Sequence, residues 1–179
     1  MKAPPLAPTS IDTVVLAAGD FYFGHGATRI STLLGSCVSI TLWHPRKRIG
    51  GMCHYMMTSR TPGKGGANAT SASLDGRYAD EAFALFLQNV EQAGTRPSEY
   101  QAKLFGGADM FGTAKGSTMN IGERNIAFGR ELLLAKHIAL VAEHIGGSGR
   151  RKLHFDVWSG DVWLAFPEGV GAEIRGAHG

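Results

Sequence analysis

From Val38 to Trp43 the chain alternates in the manner of a half-buried strand, with Val38, Ile40 and Leu42 on one side. Thr13 to Ala17 reads as an earlier strand. Ile49 to Met57 reads as the neighbour of Val38–Trp43, joined through His44-Pro45-Arg46-Lys47-Arg48. Period two then places Met52, His54 and Met56 on one face of that neighbour and Cys53 and Tyr55 on the other. Between Arg77 and Ala93 the period becomes helical. Ala79, Ala82, Phe83, Phe86, Leu87 and Val90 share one face, with Asp75 as N-cap and Gly94 as stop. Ala102 to Phe105 predicts a short strand entering Gly106-Gly107, and Glu123 to His137 a second helix. Strands follow at Ile138 to His144, Leu153 to Trp158 and Val162 to Phe166, the last two joined by a turn at Ser159-Gly160. Thr58 to Asp75, rich in Ser, Thr, Gly and Ala, predicts a long loop of the kind that often carries function. Mixed strands with two helices predict an α/β (α+β) layered fold, with no internal repeat and no linker.

Composition narrows the class. The chain has 179 residues, 44% hydrophobic and 18% charged, which suits one globular domain and argues against global disorder. Its net charge is only +3, and its dense basic runs, Arg46-Lys47-Arg48 and Arg150-Arg151-Lys152, fall in expected turns. They read as solvated surface, so no nucleic-acid partner is expected. The two cysteines make no disulfide framework. The N-terminus lacks the apolar stretch of a signal peptide, and no run reaches the ~18 apolar residues of a membrane helix. A cytoplasmic location without direct membrane insertion is therefore expected. Residues 1–10, with three prolines, are expected to form a flexible tail.

The candidate chemistry lies at Cys37 and His54. Gly35-Ser36-Cys37 opens the apolar strand Val38–Trp43, which holds a thiol at a tight strand end. A free cysteine is only a few per cent ionised at neutral pH, so a nucleophilic thiol needs a base, and His54 on the neighbouring strand can supply it. The opposed parity of Cys53 predicts that it packs away from any site shared by Cys37 and His54. No short Cys/His spacing supports a metal site. Gly106-Gly107 and Gly146-Gly147-Ser148-Gly149 fit no phosphate-binding motif, and their glycines instead suggest positive φ or close backbone approach at the rim of the site.

Leu34-Gly35-Ser36-Cys37-Val38 followed by Gly50-Gly51-Met52-Cys53-His54 resembles the CheD family, the chemoreceptor glutamine deamidases of bacterial chemotaxis. Three more blocks agree in order: Lys103 to Phe111, Ile121 to Asn125, and Gly146 to Arg150. The resemblance spans about Asp12 to Phe166. It implies a layered sandwich of mixed β-sheets flanked by helices, with the deamidase domain at 11–170 and a C-terminal tail at 171–179. It also implies Cys37 as nucleophile and His54 as base, with no cofactor. Backbone N–H groups at Gly35 and Ser36, and that of Cys37, would serve the oxyanion. The family's third residue is a threonine six positions before the cysteine, which is Ser31 here, with Thr32 beside it as the alternative. On a strand the two point to opposite faces. Met57-Thr58 stands where the family has Leu-Pro. The implied partner is the helical cytoplasmic region of chemoreceptors. The alternative is a non-catalytic adaptor that binds receptors or a CheC-type phosphatase.

Overall fold

The computed structural model describes residues 8–60, 74–110, 112, 119–167 and 175–177. The first seven residues, most of the expected 58–75 loop and most of the expected C-terminal tail lie outside the described residues. Ten strands form two mixed five-stranded sheets. The first sheet has the order β1 (Asp12–Leu16), β3 (Thr28–Leu34), β8 (Arg151–Asp156), β9 (Val162–Ala165) and β10 (Arg175–Ala177). The second has β2 (Phe21–His25), β5 (Ile49–Cys53), β4 (Val38–His44), β6 (Gln101–Gly106) and β7 (Ala139–Ile145). β1 runs parallel to β3 and β6 parallel to β7; the other neighbours are antiparallel.

Two apolar layers hold this arrangement together. Ile30, Leu34, Met52, Phe105, Leu153, Phe155 and Leu164 fill the space between the sheets. Val38, Ile40, Leu42, Cys53 and Tyr55 face the other way, against α1 (Ala79–Gln92) and α2 (Ile121–Ala135). Strand alternation makes this possible, because one strand feeds both layers: Met52 enters one and Cys53 the other. Phe86 is fully buried and meets Phe21 edge-on with ring centroids 4.8 Å apart. Truncating it to alanine would cost about 3–5 kcal/mol.

The layered architecture is as the sequence pattern and the family resemblance indicated. Several boundaries differ. β5 ends at Cys53, although contacts in its register run on past it: His54 N–H donates to the Asp20 carbonyl at 3.1 Å, and Val38 and Tyr55 form an isolated bridge. Tyr78, not Asp75, is the N-cap of α1; the Asp75 carboxylate instead accepts the Arg77 N–H at 3.0 Å. Gly94 does stop α1. With φ +64° it lets its own N–H reach the Glu91 carbonyl and Thr95 N–H the Val90 carbonyl, a Schellman closure. β2 and β3 are additional to the strands read from sequence. So is β10, within the stretch assigned to the C-terminal tail.

Candidate active site

Three segments converge at one edge of the sandwich. The first is the turn Gly35-Ser36-Cys37, where the chain crosses from β3 in one sheet to β4 in the other. Glycines clamp it from behind. Gly107 N–H donates to the Cys37 carbonyl at 2.8 Å, and Ala108 N–H to the Gly35 carbonyl at 3.0 Å. Gly106 has φ +110°, and a Cβ there would sit 2.2 Å from the Cys37 carbonyl oxygen, so only glycine lets the two chains approach this closely. Gly146 N–H in turn donates to the Gly106 carbonyl at 2.9 Å. The glycine pairs thus back the cysteine turn. Among the described residues the N–H groups of Ser36 and Cys37 are not taken up by carbonyls.

The second segment follows β5. Its backbone is held on both sides. Gly19 N–H donates to the His54 carbonyl at 2.7 Å, and Val38 and Tyr55 exchange a pair of backbone bonds of 3.0 and 2.9 Å. The Tyr55 hydroxyl donates to the Asn125 carbonyl in α2, and Asn125 Nδ2 donates to the Met56 carbonyl, both at 2.7 Å. His54 is 5% exposed.

The third segment is β3. Ile30, Thr32 and Leu34 point between the sheets, while Arg29, Ser31 and Leu33 point out. Thr32 Oγ1 lies 2.8 Å from His54 Nδ1 and also donates to the Leu16 carbonyl at 2.8 Å. Ser31, expected to face His54, instead places its Oγ 2.7 Å from His154 Nδ1 on the outer face. The physical reason is strand parity: Thr32 shares its side with Ile30 and Leu34, which the core requires to be inward. Alternation groups Thr32 with Ile30 and Leu34 in the sequence, and the packing of that apolar pair decides which side faces in.

A threonine hydroxyl has one proton. Because Thr32 gives it to Leu16, Oγ1 accepts from His54 Nδ1–H. The other ring nitrogen, Nε2, is then the unprotonated one. It is buried and has no hydrogen-bond partner among the described residues. Cys37, Thr32 and His54 line a common cavity of about 560 Å³, with Leu16, Ser31 and His154 on its other walls. Burial holds the His54 imidazole below its ordinary value, partly opposed by the Asp20 charge. Burial pushes the half-buried Cys37 thiol up, partly opposed by its own backbone N–H. Both shifts favour the neutral forms of the thiol and the imidazole. Cys53 is 1% exposed among helix-facing residues, and its thiol is pushed up to about 12 by burial. No cluster of three or more His, Cys, Asp or Glu that could hold a metal occurs among the described residues. No helix among them is long and apolar enough to cross a membrane.

Residues 61–166 match the family model described as CheD chemotactic sensory transduction. A protein of Dechloromonas aromatica (strain RCB) named probable chemoreceptor glutamine deamidase CheD 3 is 67% identical over 173 residues, 97% of this chain and 98% of that protein. This chain belongs to the CheD family. Two more CheD relatives bear the name probable chemoreceptor glutamine deamidase CheD 1. That of Chromobacterium violaceum is 44% identical, covering 91% of this chain and 81% of its own length. That of Leptospira interrogans is 38% identical, covering 91% and 98%. The family-model match begins after Cys37 and His54, whereas the first relative aligns with nearly the whole chain, the cysteine–histidine edge included.

Proposed function

We propose that this chain is a chemoreceptor glutamine deamidase in which Cys37 is the nucleophile, His54 the base and acid, and Thr32 the group that orients His54. The observation that carries this assignment is the Leu16–Thr32–His54 relay, which leaves Nε2 unprotonated on a histidine that lines the same cavity as Cys37. Nε2 takes the thiol proton as the sulfur attacks the carboxamide carbon of a glutamine side chain, forming the C–S bond. The oxyanion is met by the Ser36 and Cys37 N–H groups; removing one such donor ordinarily costs ~2.7–4 kcal/mol. Collapse breaks the C–N bond, and the imidazolium proton leaves with the nitrogen as ammonia. Nε2 then takes a proton from water, the hydroxide attacks the thioester, the C–S bond breaks, and the proton returns to sulfur. The net change is glutamine plus water to glutamate plus ammonia. Every step uses protein groups and water.

The substrate is a glutamine of a chemoreceptor, on its helical cytoplasmic region, and the protein acts in the cytoplasm. A CheC-type phosphatase is the second partner to test. Incubating the protein with receptor cytoplasmic fragments should release ammonia and give the mass gain of glutamine-to-glutamate conversion. Cys37→Ala should do neither. Receptor binding without ammonia from the unaltered protein would instead establish an adaptor. Iodoacetamide should label Cys37 increasingly as pH rises and leave Cys53 unmodified in the folded protein. Labelling of Cys53 alone would overturn the assignment of the nucleophile.

A further inference from the structure

The turn between β1 and β2 bears on both the backbone and the ring of His54. Asp20 N–H donates to the Ala17 carbonyl at 3.0 Å, closing a four-residue turn, and the Asp20 carboxylate accepts the Ala17 N–H at 2.8 Å. Gly19, at the third position, has φ +91°, the conformation a type II turn requires there. The turn then grips His54 twice, through Gly19 N–H to its carbonyl and through its N–H to the Asp20 carbonyl. The residue immediately before the turn, Leu16, supplies the carbonyl that takes the Thr32 proton. One turn therefore sets the backbone of His54 and, through Thr32, the tautomer of its ring.

A carboxylate at the end of an exposed turn commonly does no more than cap it. Here the capped turn is the support for a buried imidazole, and one side chain adds a second closure to its backbone bond. We propose that Asp20 is a positioning residue for His54: its carboxylate braces the 17–20 turn, beyond the turn's own backbone bond, and so holds both the His54 backbone and the Leu16 carbonyl that fixes the ring tautomer. This rests on the reading of His54 as the base. The other ionisable groups around the ring are Cys37, Lys152 and His154 across the cavity. Arg77, ion-paired with Asp75, packs behind Gly19.

The test compares Asp20→Asn, which keeps an acceptor oxygen, with Asp20→Ala, which removes it, and Asp20→Glu, which displaces it by one methylene. Deamidation of a receptor fragment gives kcat and KM, and ¹⁵N shifts of the His54 ring, assigned with His54→Ala, report the tautomer without turnover. Asp20→Ala should lower kcat about tenfold or more with KM nearly unchanged, and should mix the tautomers. Asp20→Glu should fall between, and Asp20→Asn should keep the Nδ1–H tautomer and most of kcat. A single Nδ1–H tautomer in both Asp20→Ala and Asp20→Glu would overturn the proposal, as would equal losses in Asp20→Asn and Asp20→Ala. If His54→Ala retained turnover, the reading of His54 as base would fall, while the ring shifts would still decide whether Asp20 positions it.

Discussion

Two histidines meet two adjacent hydroxyls at nearly the same distance on opposite faces of one strand. On the inner face Thr32 lies 2.8 Å from His54 Nδ1; on the outer face Ser31 lies 2.7 Å from His154 Nδ1. The pairs differ in what stands behind the hydroxyl. Thr32 gives its proton to Leu16, so His54 is fixed as the donor at Nδ1 and its Nε2 is bare. Ser31 has no second acceptor among the described residues, so either atom of its pair can donate. The side chains differ too. Threonine is β-branched and restricted at χ1, whereas serine turns more freely. A hydrogen-bonded histidine is therefore not enough to make a base. The hydroxyl must itself be directed, and here only the inner pair meets that condition.

The largest effect should come from breaking the comparison at the imidazoles. His54→Ala should cost on the order of 10⁴-fold or more in turnover, as Cys37→Ala should, with the double variant little worse because the groups act as a unit. His154→Ala should stay within a few-fold. Measured rates on one receptor fragment decide it. A loss in His154→Ala matching that in His54→Ala would mean that the outer pair takes part in the reaction.

At the hydroxyls the effect should be smaller and should separate neighbours in sequence. Thr32→Ala frees the His54 ring and removes the acceptor for Nδ1–H, for an expected loss of about 10–100-fold in kcat. Thr32→Ser should recover part of it. Ser31→Ala should leave kcat within about threefold, an ordinary outcome for a site away from the reacting atoms. A large loss only in Ser31→Ala would mean that the reacting enzyme uses the outer face.

These two residues also mark how far the sequence could be read. α1 was legible because its apolar stripe and its terminal Gly94 agree, and each is decided locally. The opposed faces of Met52 and Cys53 followed from period two alone, and they hold even though β5 stops earlier than expected. β3 is harder to read, since its outer face carries Arg29 and Ser31 yet is partly covered; Arg29 pairs with Asp156 at 2.6 Å. Alternation separated Ser31 from Thr32 but did not by itself say which faces in. That is set when Ile30 and Leu34 enter the space between the sheets. The Leu16 carbonyl and the Asp20 turn left no pattern in side-chain type, because their roles are played largely by backbone atoms.

The smallest effect to be measured is on pH dependence. An ordinary histidine titrates near 6.5, and burial lowers His54 from that value. The base must be unprotonated at Nε2, so a lowered value extends activity toward acid. The acid limb of kcat/KM, which reports the free enzyme, should therefore lie below 6.5. His154 is also lowered by burial, with Lys152 and Arg29 adding to the shift, but it should leave no trace in the profile. The limb should keep its position in His154→Ala and Ser31→Ala. A limb at or above 6.5 in the unaltered protein would mean that the imidazolium is stabilised in the free enzyme, and a neutral resting pair would be ruled out. A limb that moved in His154→Ala would show the two pairs to be electrostatically coupled across the cavity, and the inner pair could no longer be treated as acting alone.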